Sequence, residues 1–459
     1  MGAFEAPGGI AALAAVLALA LLAGSAAAQD GPGDRPVISG PEGLGCGVDC
    51  YAQGGVVVDG VAYFTADHSF SRYWKADDFP FGVAFDLVHL ERIRTYAFAD
   101  TYDSTPLVIQ RLDGSWLVIA HEYQAERTVA LERDTGAVAW ISAANQPGAY
   151  FFGYSWYQRA DGSKLLFVAS TNGLHAISAE TGEEVWWLER PSTGGVTPAV
   201  DQDAGVVYYQ RDGEVLKLRA VDGEVLASSE VTAPSSTTSW NTVLVDDEHG
   251  PLIATYWFGL SGGIGEKGMQ WNAALRVFDP ELNLVWERAH LPAPKKSTLT
   301  YAQGKLVIGA GGHWAGRYEG EAWKYLVAYD VGNGNEAWRC DLRAHDFNYI
   351  MNVPYAWGSF YAETTGKSSR LLRIDAATGE LLDVLDYGAS IGSCAQPIIA
   401  RGLLLSGDLT RDGVVVTRLA EGSTADWPGP FCDPQTNSYA LPDEPGGRPV
   451  PMVEVRPGE

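Results

Sequence analysis

The sequence predicts an all-β fold, an eight-bladed β-propeller of four-stranded antiparallel blades. Two observations carry this expectation. A strand–turn–strand phrase returns along the chain, and its copies lie one blade-length apart. A third observation supports them: beyond the first thirty residues no long stretch keeps the 3.6-residue apolar period of a helix.

The clearest copies run Val129 to Trp140, Leu174 to Trp186, Leu326 to Trp338 and Leu371 to Asp383. Before each turn, apolar and polar residues alternate as a half-buried strand requires. The turns read Asp134-Thr135-Gly136, Glu180-Thr181-Gly182, Asn333-Gly334 and Thr378-Gly379. Glycine tolerates positive φ there, and the acid or hydroxyl bonds nearby backbone N–H groups. A Trp four residues after the turn is large enough to fill the gap between packed sheets. Trp140, Trp186, Trp286 and Trp338 are therefore candidate docking residues. Turns near residues 90, 136, 182, 223, 282, 334, 379 and 422 lie 41 to 59 residues apart and count eight units. The first unit lacks the glycine and the Trp, the fourth has Ala227 at the Trp position, and the last has Trp427 one residue late.

The repeats divide the chain. Residues 1–28 read as a signal peptide: Ile10 to Leu22 is an apolar core too short for a comfortable span, and Ala26 to Ala28 form a small-residue cleavage site. No Lys or Arg precedes that core. Residues 29–50 read as a flexible leader holding Cys46 and Cys50, residues 51–427 as the propeller, and residues 428–459 as a Pro-rich C-terminal tail. The tail prolines are at 428, 430, 434, 442, 445, 449, 451 and 457. The expected location is outside the cytoplasm, periplasmic or extracellular, with no integral membrane span after cleavage and a monomeric state.

Net charge is −25, and losing Glu5 with the signal peptide moves it to −24. Such a chain repels nucleic acid and anionic membrane surface, and the charge serves solubility. Five cysteines (Cys46, Cys50, Cys340, Cys394 and Cys432) in an oxidising compartment suggest pairing with one left over. The disulfide candidates are Cys46, Cys50, Cys394 and Cys432. The two ends of the propeller are expected to meet, with strand pairing between Val56–Phe64 and Leu403–Leu419. A bridge from Cys432 to Cys46 or Cys50 would lock that seam, with Cys394 the competing partner.

The repeat resembles the pyrroloquinoline-quinone-like (PQQ-like) propeller family, whose hallmark is A-x-D-x-x-T-G-E-x-x-W. The resemblance covers roughly residues 51–427. It implies the fold more than the function, because the family holds quinoprotein alcohol and glucose dehydrogenases and also the non-catalytic lipoprotein of the outer-membrane β-barrel assembly machinery. A dehydrogenase would need calcium on hard oxygen ligands, an Asp base, Arg or Lys on the quinone and a stacking Trp. The alcohol-type relatives carry a vicinal disulfide over the cofactor, and this chain has no Cys-Cys. The lipoprotein carries a lipid-attachment cysteine at its cleavage site, and this chain has none.

Binding candidates are polar–aromatic clusters at the starts of units and one long loop. They are Trp156, Trp240, Asn241, Asp346 and Asn348, with His313, Trp314 and Arg317 in the loop 311–323. A cation site could be built from Asn241, Asp346 and Asn348, or these residues could line a wet channel. Gly259 to Gly268 lacks the Gly-Lys-Ser/Thr ending of a phosphate loop. The eight histidines have no paired spacing, so no catalytic or metal residue is assigned. The expected function is an exported non-catalytic scaffold that binds an envelope or extracellular protein, or a small ligand, without a cofactor. The alternative is a quinone-dependent dehydrogenase with a reduced site, using PQQ and calcium.

Overall fold

Period-2 alternation folds the repeats into eight separate antiparallel sheets, one per unit. The computed structural model describes residues 37–39, residues 51–418 apart from several segments (the longest 68–81 and 310–323), and residues 439–440. We name the strands of each blade a to d in the order they pair. Blade 1 is Tyr51–Val58, Val61–Asp67, Gly82–Asp86 and Glu91–Tyr96. Blade 2 is Leu107–Gln110, Trp116–Glu122, Arg127–Glu132 and Val138–Ile141. Blade 3 is Ser155–Gln158, Lys164–Ser170, Gly173–Ser178 and Glu184–Glu189. Blade 4 is Ala199–Asp201, Val206–Arg211, Glu214–Arg219 and Val225–Ser228. Blade 5 is Thr242–Asp247, Gly250–Ser261, Gln270–Phe278 and Leu284–Leu291. Blade 6 is Leu299–Ala302, Lys305–Ile308, Tyr325–Asp330 and Glu336–Asp341. Blade 7 is Tyr355–Ala356, Ser359–Glu363, Arg370–Asp375 and Leu381–Asp386. Blade 8 takes Ile398–Ala400, Leu403–Asp408 and Gly413–Arg418 from the end of the propeller. The a strands of neighbouring blades lie against one another, so they surround the axis and the d strands form the rim.

The turn between strands c and d is a glycine-closed α-turn. Gly379 N–H donates to the Asp375 carbonyl at 2.8 Å with φ at +74°, while Asp375 Oδ1 accepts from Ala377 N and Thr378 N. The glycine has a second duty: a Cβ there would sit 2.6 Å from the Trp338 ring of blade 6. The Trp of one blade thus lies flat on the turn glycine of the next, and its indole N–H donates to the carbonyl three residues before that glycine. Trp140 donates to Ala179 at 2.9 Å, Trp186 to Ala220 at 3.0 Å, Trp286 to Val331 at 2.6 Å and Trp338 to Ala376 at 2.9 Å. Trp140 and Trp338 are buried, and Trp186 and Trp286 are half-buried.

Where the Trp is missing, the volume is returned by the other side of the joint. Blade 4 has Ala227, and the turn of blade 5 puts buried Leu282 at the glycine position, at φ +64°. Leu282 packs with Phe278 and Tyr208, and Ala227 lies against them. The lost indole donor is replaced as well. Lys217, the cross-strand partner of Ala227, donates from Nζ to the Pro280 carbonyl at 2.8 Å. Blade 1 likewise holds Leu90 at φ +54° in place of the glycine.

The ends of the ring do meet, but by a different pairing from the one expected. Val56–Phe64 does not pair with Leu403–Leu419. Instead Val37–Ser39, in the leader, pairs antiparallel with Gly413–Arg418 and becomes strand d of blade 8. Blades 1 and 8 then pack face to face, with Ala62, Phe64, Val83 and Phe85 against Ile398, Leu405, Val414 and Val416. The physical reason is edge protection. Strand a of blade 1 already pairs within its own blade, whereas Gly413–Arg418 would be left with an open edge.

The tail also contributes a strand. Tyr439–Ala440 pairs in parallel with Leu244 and Val245 of blade 5 strand a. The opposite edge of that strand belongs to Gly250–Ser261, so the tail strand lies on the axial side. It also approaches Ala199–Asp201 of blade 4.

Candidate functional site

Strands b end, and strands c begin, on one face of the ring, and polar side chains collect there between blades. In blade 2, His121 and Glu122 close strand b opposite Thr128 and Arg127. Glu122 accepts from Arg127 Nε at 2.7 Å and from the Ala99 amide at 2.8 Å, which ties the segment entering blade 2 to its hairpin. Thr128 Oγ1 donates to Gln146 Oε1 at 2.7 Å. Tyr154 is buried beside this cluster, and burial holds its hydroxyl proton above the ordinary tyrosine range. His121 is 2% exposed, and neither ring nitrogen has a hydrogen-bond partner among the described residues. Burial first, and then the nearby His175, push its pKa down to about 3, so the imidazole is neutral.

Blade 3 carries an arrangement that resembles a catalytic array. His175 Nδ1 lies 2.6 Å from Glu184 Oε2, and its Nε2 lies 3.2 Å from Ser170 Oγ. The chemistry is closed, however. Ser170 has no exposed surface, its hydroxyl is taken by Asn172 Oδ1 and the Gly173 carbonyl, and Asn172 Oδ1 also reaches His175 Nε2 at 2.8 Å. The ring stacks on Trp187 at 5.7 Å and 4°. Burial lowers the pKa of His175, while Glu184 opposes that shift. The array pins the b–c hairpin to strand d. Elsewhere on this face Arg276 pairs with Glu287 across strands c and d of blade 5, and the Ser406 hydroxyl of blade 8 donates to Glu363 of blade 7.

The opposite face carries the c–d and a–b turns and is acidic. Its carboxylates are held ionised by the turns themselves: amide N–H donors of His89 for Asp86, of Glu224 for Asp222 and of Thr378 for Asp375, and the hydroxyls of Ser115 and Ser163 for Asp113 and Asp161. Each of these five has its pKa lowered.

Trp156 sits on blade 3 strand a, 7% exposed and packed between blades 2 and 3 with Leu107, Ile109, Trp140 and Leu166. Its carbonyl accepts from Gln202 Nε2 at 2.7 Å. Trp240, Asn241, His313, Trp314, Arg317, Asp346 and Asn348 lie outside the described residues, as do Cys46, Cys50, Cys394 and Cys432. Cys340 is free and buried, and burial raises its thiol pKa to about 11. Among the described residues no group of three or more His, Cys, Asp or Glu side chains converges to hold a metal, and no helix is long and apolar enough to cross a membrane. His121 and His175 escaped the sequence reading. Their signal was weak: each is a polar residue on the inward side of an otherwise apolar strand.

The residues that would hold a quinone and calcium, among them Trp240, Asn241, Asp346 and Asn348, lie outside the described residues; the tail strand lies along the blade 4 and blade 5 side of the axis.

A family model described as "Outer membrane protein assembly factor BamB" matches residues 103–266. Among solved structures, BamB from Moraxella catarrhalis is similar at TM-score 0.50 and 12% identity, over 79% of this chain and 94% of that one. The quinohemoprotein alcohol dehydrogenase from Comamonas testosteroni is similar at TM-score 0.50 and 15% identity, over 84% of this chain and 79% of that one. Chaetomium thermophilum Sqt1, solved bound to the N-terminus of the ribosomal protein L10, is similar at TM-score 0.54 and 12% identity, over 81% of this chain and 97% of that one. No curated protein sequence matches the chain. At such identities the likeness is one of fold.

Proposed function

Starting from a ring of PQQ-like repeats, we propose that this chain is an exported, non-catalytic scaffold that binds a protein or small ligand in the cell envelope or outside the cell. The observation that carries the reading is the closed Ser170–His175–Glu184 array. The described arrangement nearest to catalytic geometry has no exposed hydroxyl and holds a hairpin instead. The family match to an assembly factor supports the same reading. Rigid joints between blades suit a scaffold, since a surface that keeps its shape loses less entropy on binding.

The experiment sets the scaffold against the dehydrogenase. Purified protein is titrated with PQQ and Ca²⁺, followed in the near ultraviolet, and assayed for dye reduction with alcohols and sugars. The expected result is no turnover. Stoichiometric quinone binding with turnover would refute the scaffold. Export is tested separately by sequencing the N-terminus of protein recovered from the envelope or medium. A start at Gln29 is expected, and a cell-retained protein starting at Met1 would refute it.

A further inference from the structure

We propose that the axial edge of blade 5 strand a is a strand-accepting site, and that its resident occupant is the chain's own C-terminal segment around Tyr439–Ala440. The pairing is parallel, Leu244 with Tyr439 and Val245 with Ala440. It gives blade 5 a further strand on the axial side, next to Ala199–Asp201 of blade 4.

The edge is chemically ready for a strand. Thr242 N–H turns away from strand b and donates to the Thr197 carbonyl of blade 4 at 3.2 Å. Amides two residues apart point the same way along a strand, so the Leu244 amide also turns away from strand b, toward the edge where Tyr439 pairs. An open row of such groups is a template for another strand.

The tail is composed to fill that edge once. Proline has no N–H and cannot donate to a ladder. The tail has prolines at 428, 430, 434, 442, 445, 449, 451 and 457, and the longest proline-free window is Gln435 to Leu441. Tyr439–Ala440 lies in that window, which Pro434 and Pro442 bracket. The window carries no charge, so pairing there would desolvate no ion. Residues 419–438 can reach any blade, because extended chain covers roughly 3.3 Å per residue.

The consequence is a channel whose occupant is built in. A quinone or a partner's extended segment reaches this edge only by displacing the tail. The assignment stands independently of the scaffold reading, because it concerns what fills the axis and not what binds outside.

The test uses the full chain. Amide hydrogen exchange of residues 242–247 is compared in wild type, Ala440→Pro, Tyr439→Pro and the tail control Met452→Pro. The Leu244 amide is expected to exchange at least about tenfold faster in both window variants and unchanged in the control, with blade 2 amides unaffected. A synthetic peptide spanning residues 435–441, added at saturation to Ala440→Pro, is expected to restore protection. Equal exchange in wild type and both window variants overturns the proposal. So does an increase in the control as large as in the window variants.

Discussion

The joint between blades 6 and 7 can be tested as a unit, by replacing both of its faces. Trp338 is 6% exposed, packs against Phe360 and donates to Ala376, so Trp338→Ala should cost about 3–5 kcal/mol. Gly379→Ala adds two penalties. The left-handed φ of +74° costs a non-glycine residue roughly 1–2 kcal/mol, and the new methyl lies 2.6 Å from the indole, an overpacking of roughly 1–3 kcal/mol. In the Trp338→Ala background the indole is gone, so Gly379→Ala should cost only the backbone part. The double variant should therefore be more stable than the sum of the singles predicts, by about 1–3 kcal/mol. Urea unfolding of the four proteins, with the slopes compared to confirm a shared transition, measures the coupling. Additivity within about 0.5 kcal/mol would show that the glycine serves the turn alone and that the stacking argument is wrong.

Four further outcomes are expected. His121 is neutral in the fold, with its pKa lowered to about 3, while the unfolded chain protonates near pH 6.5, so its contribution is whole above pH 6.5 and is lost as pH falls toward 3. Relative to His121→Gln, wild type should lose about 2 kcal/mol between pH 7 and pH 5, and parallel pH profiles would refute this. Leu282→Gly relieves a positive φ but empties the space beside Ala227, so a net loss of about 1–3 kcal/mol is expected, and a gain in thermal midpoint would contradict the exchange of volumes. Lys217→Met keeps the stem and loses the bond to the Pro280 carbonyl, for about 1 kcal/mol by urea midpoint, and no change would leave that lysine without a docking role. Ser170→Ala should lower stability by about 1–3 kcal/mol, because it leaves buried His175 and Asn172 short of a partner. An unchanged midpoint would remove the hairpin-pinning role.

The repeat and its count were legible because turn chemistry is local: Gly136, Gly182, Gly334 and Gly379 each need only their neighbours to adopt positive φ. Even the irregular units kept register, since Leu90 and Leu282 take the same backbone conformation at a cost. The ring closure was half legible. Adjacency follows from the fold, but the choice of Val37–Ser39 depends on an open edge nearly the whole propeller away, which three residues of leader do not announce. The exchange between Ala227 and Leu282 is a property of two units together, so neither unit alone reveals it. Trp156 is by sequence a binding candidate at the start of a unit. Its place on strand a turns the ring into the joint beside Trp140, a packing fact that composition does not carry. The polar faces were the least legible, because Ser170, His175 and Glu184 come together only when three strands pair.

Closing blade 8 with Val37–Ser39 gives the molecule no terminal blade. In an open stack of repeats, the outermost unit has one neighbour and opens first. Here every blade has two, and Val37–Ser39 is synthesised long before its partner, Gly413–Arg418, exists. Assembly of the ring is thus a late step with a long loop to close, slow by contact order though only modestly dearer in entropy than a short one. Once joined, the seam makes local opening anywhere compete against the whole circle, so resistance to proteases should rise abruptly at closure rather than blade by blade.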